Sequence, residues 1–236
     1  MTELLTRAKG IAKASIVFAL LLVFVCGITT NETYAFAINP NIVTRKAARD
    51  TVYLFHGKSL KNLKFIWRNR ADYHKKLYEI SDGAIIFRSH EAGYIRSKKK
   101  YRNFVLHAEW AWLNPQENGN SGILIYIQKP DVVWPECIQV NYKNQHAGDF
   151  ISMKGTFFPQ AKNKPKGVVP ILNKPSEKPI GEWNTCKVVC EGGSVMVYVN
   201  GVFQNKATNV TLKPGYIGFQ MEGLPVKFRD MYIVKE

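Results

Sequence analysis

Phe104-Val105-Leu106-His107-Ala108-Glu109-Trp110-Ala111-Trp112 alternates with a period of two. Phe104, Leu106, Ala108, Trp110 and Trp112 fall on one side; Val105, His107, Glu109 and Ala111 fall on the other. Successive side chains of a strand leave on opposite faces, so this is the pattern of a β-strand with one face on a core. Further along, Val195, Val197 and Val199 alternate with Met196 and Tyr198 and stop at Asn200-Gly201. That pair suits a type I′ turn, which needs positive φ at both central residues. Comparable runs occupy 77–80, 84–88, 93–97, 121–128, 137–142, 149–153, 183–190, 215–222 and 226–234. No segment sustains a 3.6-residue period. Many short strands at this spacing predict an all-β sandwich or barrel.

The composition agrees. Of 236 residues, 46% are hydrophobic and 12% aromatic, which excludes disorder over most of the length. The first 37 residues read differently. Arg7, Lys9 and Lys13 precede the apolar run 14–28, and a short polar stretch ends in Ala35-Phe36-Ala37. This is the anatomy of a secretory signal peptide, expected over 1–37, with an uncleaved anchor as the rival. Residues 38–50 read as a polar leader, and 51–236 as one domain. The expected location is therefore secreted or periplasmic. Residues 159–181, rich in Pro and Lys, read as a long solvated loop within that domain. Cys137, Cys186 and Cys190 form no disulfide scaffold. Cys186 and Cys190 share a strand face with Val188 and read as buried small hydrophobes.

Alternation also sorts the polar residues. Gln139 and Asn141 oppose Ile138, Val140 and Tyr142; Gln220 and Glu222 oppose Ile217, Phe219 and Met221; His107 and Glu109 oppose the Trp110 side. Three strands thus carry hydrogen-bonding pairs away from the core. Such residues either face water or line the concave side of a curved sheet. Amides and carboxylates make paired hydrogen bonds to hydroxyls, and aromatic rings cover the apolar side of a sugar. Asn120-Ser121-Gly122 either brings backbone close to a ligand or turns the chain. Trp134, beside Pro135, is a candidate sugar platform or a plug for the sandwich edge.

Several short motifs follow in order. They are Leu54-Phe55-His56-Gly57-Lys58-Ser59-Leu60, Asp82-Gly83, Gly93-Tyr94-Ile95-Arg96, Asn120-Ser121-Gly122-Ile123, Trp134-Pro135, Ala147-Gly148-Asp149-Phe150, Gly181-Glu182-Trp183-Asn184, Asn200-Gly201, Gly218-Phe219-Gln220 and Phe228-Arg229-Asp230. Together they make residues 51–236 resemble the 3-keto-disaccharide hydrolase domain family. The resemblance implies a two-sheet antiparallel jelly-roll sandwich of the concanavalin A-like type. It also implies export and cleavage of the glycosidic bond of 3-keto-glycosides. One departure stands out. The family's closest-looking subgroup reads I-E-x-Q where this chain reads Ile138-Gln139-Val140-Asn141. An amide replaces a carboxylate, and an amide cannot act as a general base.

The remaining candidate carboxylates are Glu109, Asp149 and Glu222. Glycoside hydrolysis commonly uses two. A 3-keto sugar offers another route, because the ketone acidifies the C2 hydrogen. A base then removes it, the aglycone is eliminated, and water adds afterwards. The expected base is Glu109 or His146, with Arg229 or Lys154 near the carbonyl. Each also has a plainer role: an exposed strand carboxylate, a turn residue, a loop histidine, an ion-pair partner. Glu109, His146 and Asp149 are thus the catalytic candidates. Asn120, Trp134, Gln139, Asn141, Lys154, Gln220, Glu222 and Arg229 are the substrate-binding ones. No metal ligands are assigned; a divalent metal remains compatible with the residue types, but no spacing points to one. The expected partner is a carbohydrate, and the net charge of +15 suits an anionic glycan. No stacked aromatic-and-basic groove for nucleic acid is present. The alternative reading is a non-catalytic carbohydrate-binding jelly roll, and a third is an envelope protein using the fold for attachment.

Overall fold

A computed structural model of the chain describes residues 50–68, 77–88, 91–113 and 119–235. The expected signal peptide and nearly all of the polar leader lie outside the described residues. Among the described residues no helix is long and apolar enough to cross a membrane.

Among the described residues fifteen strands run in chain order: β1 Thr51–Phe55, β2 Leu63–Trp67, β3 Tyr78–Ser81, β4 Ala84–Phe87, β5 Gly93–Ser97, β6 Phe104–Trp112, β7 Asn120–Ile127, β8 Cys137–Asn141, β9 Phe150–Met153, β10 Val168–Val169, β11 Asn184–Glu191, β12 Ser194–Val199, β13 Val202–Ala207, β14 Tyr216–Glu222 and β15 Val226–Lys235. They form two antiparallel sheets. One orders β13-β12-β11-β6-β15-β4-β3, with β1 also paired to β15. The other orders β10-β9-β8-β7-β14-β5-β2. Chain neighbours such as β6 and β7, or β14 and β15, sit in opposite sheets, so the chain crosses the sandwich repeatedly. This is the expected two-sheet jelly roll.

The core lies between the sheets. Phe104, Leu106, Ala108 and Trp110 of β6 are fully buried, as are Val195, Val197 and Val199 of β12. The Trp110 ring stacks on Tyr142, just past β8, with centroids 3.9 Å apart and planes 14° apart. Phe219 of β14 meets Phe228 of β15 edge-on at 5.7 Å. These pairs tie one sheet to the other, and aromatic pairs add to the area they bury. The β12–β13 turn has Asn200 at φ 49° and Gly201 at φ 81°, the double positive φ that Asn-Gly suits.

The 159–181 loop is more ordered than its composition predicts. It contains β10, which pairs with β9. The Asn205 amide nitrogen donates to the carbonyls of Val169 and Pro170 at 3.0 Å, which pins the loop to β13. Polar side chains elsewhere in the fold, not local propensity, order it.

Cys137, Cys186 and Cys190 are free and buried. Burial pushes the Cys186 thiol up to about 12, although the neighbouring Tyr142 hydroxyl opposes the shift. The thiolate is the reactive form, so these groups are inert in the native state. All three should resist Ellman's reagent in native buffer and react after unfolding in guanidinium chloride. Fast reaction of any of them in the native protein would contradict this packing.

Candidate functional site

The outward face of the seven-stranded sheet carries rows of directly opposed residues. One row is Asn141 on β8, Gly122 on β7, Gln220 on β14 and Tyr94 on β5. The next is Gln139, Leu124, Gly218 and Arg96. At the sheet end, Asn120 lies opposite Glu222. Asn120, Gln139, Asn141, Gln220 and Glu222 are thereby brought to one face, on three adjacent strands.

Four of them form a continuous chain of hydrogen bonds. Gln139 Nε2 donates to Gln220 Oε1 at 2.8 Å. Gln220 Nε2 donates to Glu222 Oε2 at 3.0 Å, and Asn120 Nδ2 donates to the same oxygen at 2.9 Å. The polarity is fixed by chemistry. An ionised carboxylate only accepts, so Gln220 must turn its nitrogen to Glu222 and its oxygen to Gln139. Gln139 in turn must present its nitrogen. Every amide therefore points its donor toward a single carboxylate, whose Oε1 keeps no partner among the described residues. Asn141 Oδ1 accepts from the Lys143 backbone N–H at 3.1 Å, which leaves its amide nitrogen as an outward donor.

Gly122 is the gap that makes this chain possible. A Cβ there would lie 2.3 Å from the Val140 carbonyl oxygen and 3.3 Å from Gln139 Cγ. Without it, Gln139 crosses diagonally to Gln220.

The β8–β9 loop borders the same end of the sheet. It leaves β8 at Asn141, opposite Gly122 and close to where β7 begins and β14 ends. His146 Nδ1 lies 3.1 Å from Asp149 Oδ2. Asp149 Oδ1 accepts from the Ile171 backbone N–H at 2.8 Å. Asp149 is buried, while the His146 side chain is 52% exposed. Burial raises the Asp149 carboxyl above its usual range, against the opposing pull of the Ile171 amide and His146. The buried carboxyl thus fixes one ring nitrogen of a half-exposed imidazole.

The other half of this face is covered by residues 128–136. Arg96 grips Asp131 with Nε to Oδ1 and Nη2 to Oδ2, both 3.0 Å. Burial works against the Asp131 charge, but hydrogen bonds from Arg96, Lys129 and Lys64 outweigh it and hold the carboxyl well below the usual range. Tyr94 Oη donates to the Val132 carbonyl at 3.0 Å. Trp134 on this segment is 41% exposed, with the Arg68 guanidinium 4.7 Å from its ring centroid.

The remaining candidates lie elsewhere. Glu109 on β6 and Arg229 on β15 occupy the outward face of the eight-stranded sheet, where Arg229 Nε donates to Glu109 Oε2 at 2.6 Å. The expectation that Glu109 shares one hollow with Gln139, Asn141 and Gln220 is thus corrected. Its parity is right, but β6 belongs to the opposite sheet. Lys154 is exposed just past β9, at the end of the sheet away from His146. It does not join that group. Among the described residues no cluster of three or more His, Cys, Asp or Glu side chains is placed to hold a metal ion.

A jelly roll that presents an amide–carboxylate network on one sheet face, with an aspartate-held histidine on the loop at its border, is a carbohydrate-active scaffold. The chain belongs to the 3-keto-alpha-glucoside-1,2-lyase-like domain family, whose model matches residues 50–234. Solved structures share its fold. A candidate glycosyl hydrolase from Parabacteroides distasonis superposes with a TM-score of 0.56 at 22% identity, over 81% of this chain and 96% of that one. Carbohydrate-binding module CBM66 from Bacillus subtilis gives 0.52 at 12%, over 72% and 93%. The LamA catalytic domain from Zobellia galactanivorans gives 0.51 at 10%, over 79% and 96%. Among curated proteins no sequence matches.

Gly122→Ala should displace β7 from β8 and break the Gln139–Gln220 bond. A loss of about 1–3 kcal/mol in denaturant unfolding is expected, as for overpacking elsewhere. Unchanged stability would show that the strands tolerate a side chain there.

Proposed function

We propose that the protein is exported and cleaves the glycosidic bond of 3-keto-glycosides on the outward face of the seven-stranded sheet. The observation that carries this reading is the His146–Asp149 pair beside the Gln139–Gln220–Glu222–Asn120 network. His146 Nε2 removes the proton at C2, next to the ketone. The electrons of that C–H bond form a C1–C2 double bond as the C1–O bond to the aglycone breaks. The departing oxygen takes a proton from the imidazolium or from water, and water then adds across the double bond. The outward donor of Asn141 and the unpartnered acceptor oxygen of Glu222 orient the sugar hydroxyls. Family membership supports the substrate class.

A second reading has one specific observation behind it. Gln139 stands where the family's nearest subgroup has a glutamate, and it is already committed to Gln220. A face of hydrogen-bonding groups without that acid also suits a non-catalytic carbohydrate-binding module.

Release of sugar from 3-keto-glucosides separates the two. His146→Ala should lower turnover by about 10²–10⁴-fold, the usual worth of a general base. Asp149→Asn should fold yet lose comparable activity. The Ile171 N–H holds the amide oxygen, so the amide nitrogen faces His146 and forces the wrong tautomer. Turnover unchanged in both variants would remove His146 from the mechanism. No turnover by the native protein, with binding still seen by calorimetry, would favour the binding module.

A further inference from the structure

Three of the sequence motifs play no part in the site above, and they meet on the other side of the molecule. His56-Gly57, Asp82-Gly83 and Arg229-Asp230 line a cleft of about 330 Å³ on the outward face of the eight-stranded sheet. That volume is at the small end of ligand pockets. Its walls are built at a cost. Asp230 holds φ at 46°, a left-handed backbone that side-chain-bearing residues seldom adopt, whereas Asp82 at 50° belongs with Gly83 to the tight β3–β4 turn that Asp-Gly suits. At Asp230 the cause is visible, because β15 shifts register between Arg229 and Tyr232. That irregularity lifts Asp230 out of the ladder.

The chemistry in the cleft is mixed. Asp230 Oδ1 lies 3.2 Å from His56 Nδ1. Asp82 Oδ2 accepts from Ser81, leaving its second oxygen open. The Arg229 guanidinium is held by Glu109 through Nε and by the Trp183 ring 4.1 Å away. Its two terminal nitrogens keep no hydrogen-bond partner among the described residues. At the rim, Tyr53 is 50% exposed, with its ring centroid 4.8 Å from His56 and 5.7 Å from Tyr232. Carboxylate acceptors, guanidinium donors and an exposed aromatic beside them match a ring of hydroxyls with one apolar face. A bare cation fits less well, since His56, Asp82 and Asp230 are not grouped closely enough to make a ligand set among the described residues.

We propose that this cleft is a second saccharide-binding site, which takes an unmodified sugar unit of a glycan. It anchors the protein to polymer while the opposite sheet works on the keto sugar, raising the effective concentration of substrate without new contacts at the first site. The proposal rests on the carbohydrate reading of the protein but not on the His146 mechanism.

Amide chemical-shift titration of the full chain tests it, with maltotetraose and cellotetraose as probes. The expected shifts fall at His56-Gly57, Asp82-Gly83 and Arg229-Asp230, and persist in Glu222→Gln. Tyr53→Ala, and separately Asp230→Asn, should each weaken that binding by about tenfold, a change of about 1.4 kcal/mol. Shifts confined to Gln139, Gln220 and Glu222, an absence of shifts at the cleft at millimolar saccharide, or unchanged affinity in both variants would overturn the proposal. Cleft binding without turnover of any 3-keto-glucoside would leave this inference standing and remove the enzymatic one.

Discussion

The stack of Trp110 on Tyr142 closes the sandwich, and much of the architecture depends on it. It joins the centre of the eight-stranded sheet to the β8 end of the other sheet, with Phe228 and Phe219 completing the contact beside it. Once those rings face each other, parity leaves no freedom. Residues alternating with Trp110 must point out of one sheet, and residues alternating with Val140 and Phe219 must point out of the other. A one-residue slip of β8 would bury Gln139 and Asn141 among aromatic rings, with no partners to offset their desolvation. What each outward face presents is therefore a consequence of how the core is packed.

The outward network has a direction because it contains a single acid. Glu222 accepts at one end, and Gln220 and Gln139 pass that polarity across three strands. A glutamate at position 139 would set two carboxylates on either side of one amide. Gln220 could satisfy only one of them, and the other would gain a proton or repel its neighbour. The amide at 139 removes that competition. On the bordering loop the arrangement differs: Asp149 is buried and the His146 side chain it meets is half-exposed.

Much of this was legible in the sequence. Period-two runs marked most strands, and they assigned Gln139, Asn141, Gln220 and Glu222 to the face away from the core. Alternation reports whether a side chain faces the core, but not which of two sheets its strand joins. That is why Glu109 and Arg229 looked like partners of Gln139 while lying on the opposite side. The edge strand β2 carries no clean alternation, since it mixes Lys64 with Leu63, Phe65 and Ile66. β10 is two residues long and exists because β9 offers it an edge. His146 and Asp149 were separate candidates in the sequence, and their pairing came only with the fold. The Ile171 amide that fixes the carboxylate lies 22 residues further on.

The most direct measurement is a crystal structure of the Asp149→Asn protein soaked with a 3-keto-glucoside. The account predicts a sugar lying over Gly122, between the Asn141 amide and the Glu222 carboxylate, with C2 facing the His146 ring. A keto sugar seated solely in the cleft beside His56 and Asp230, with the Gly122 surface empty, would contradict it.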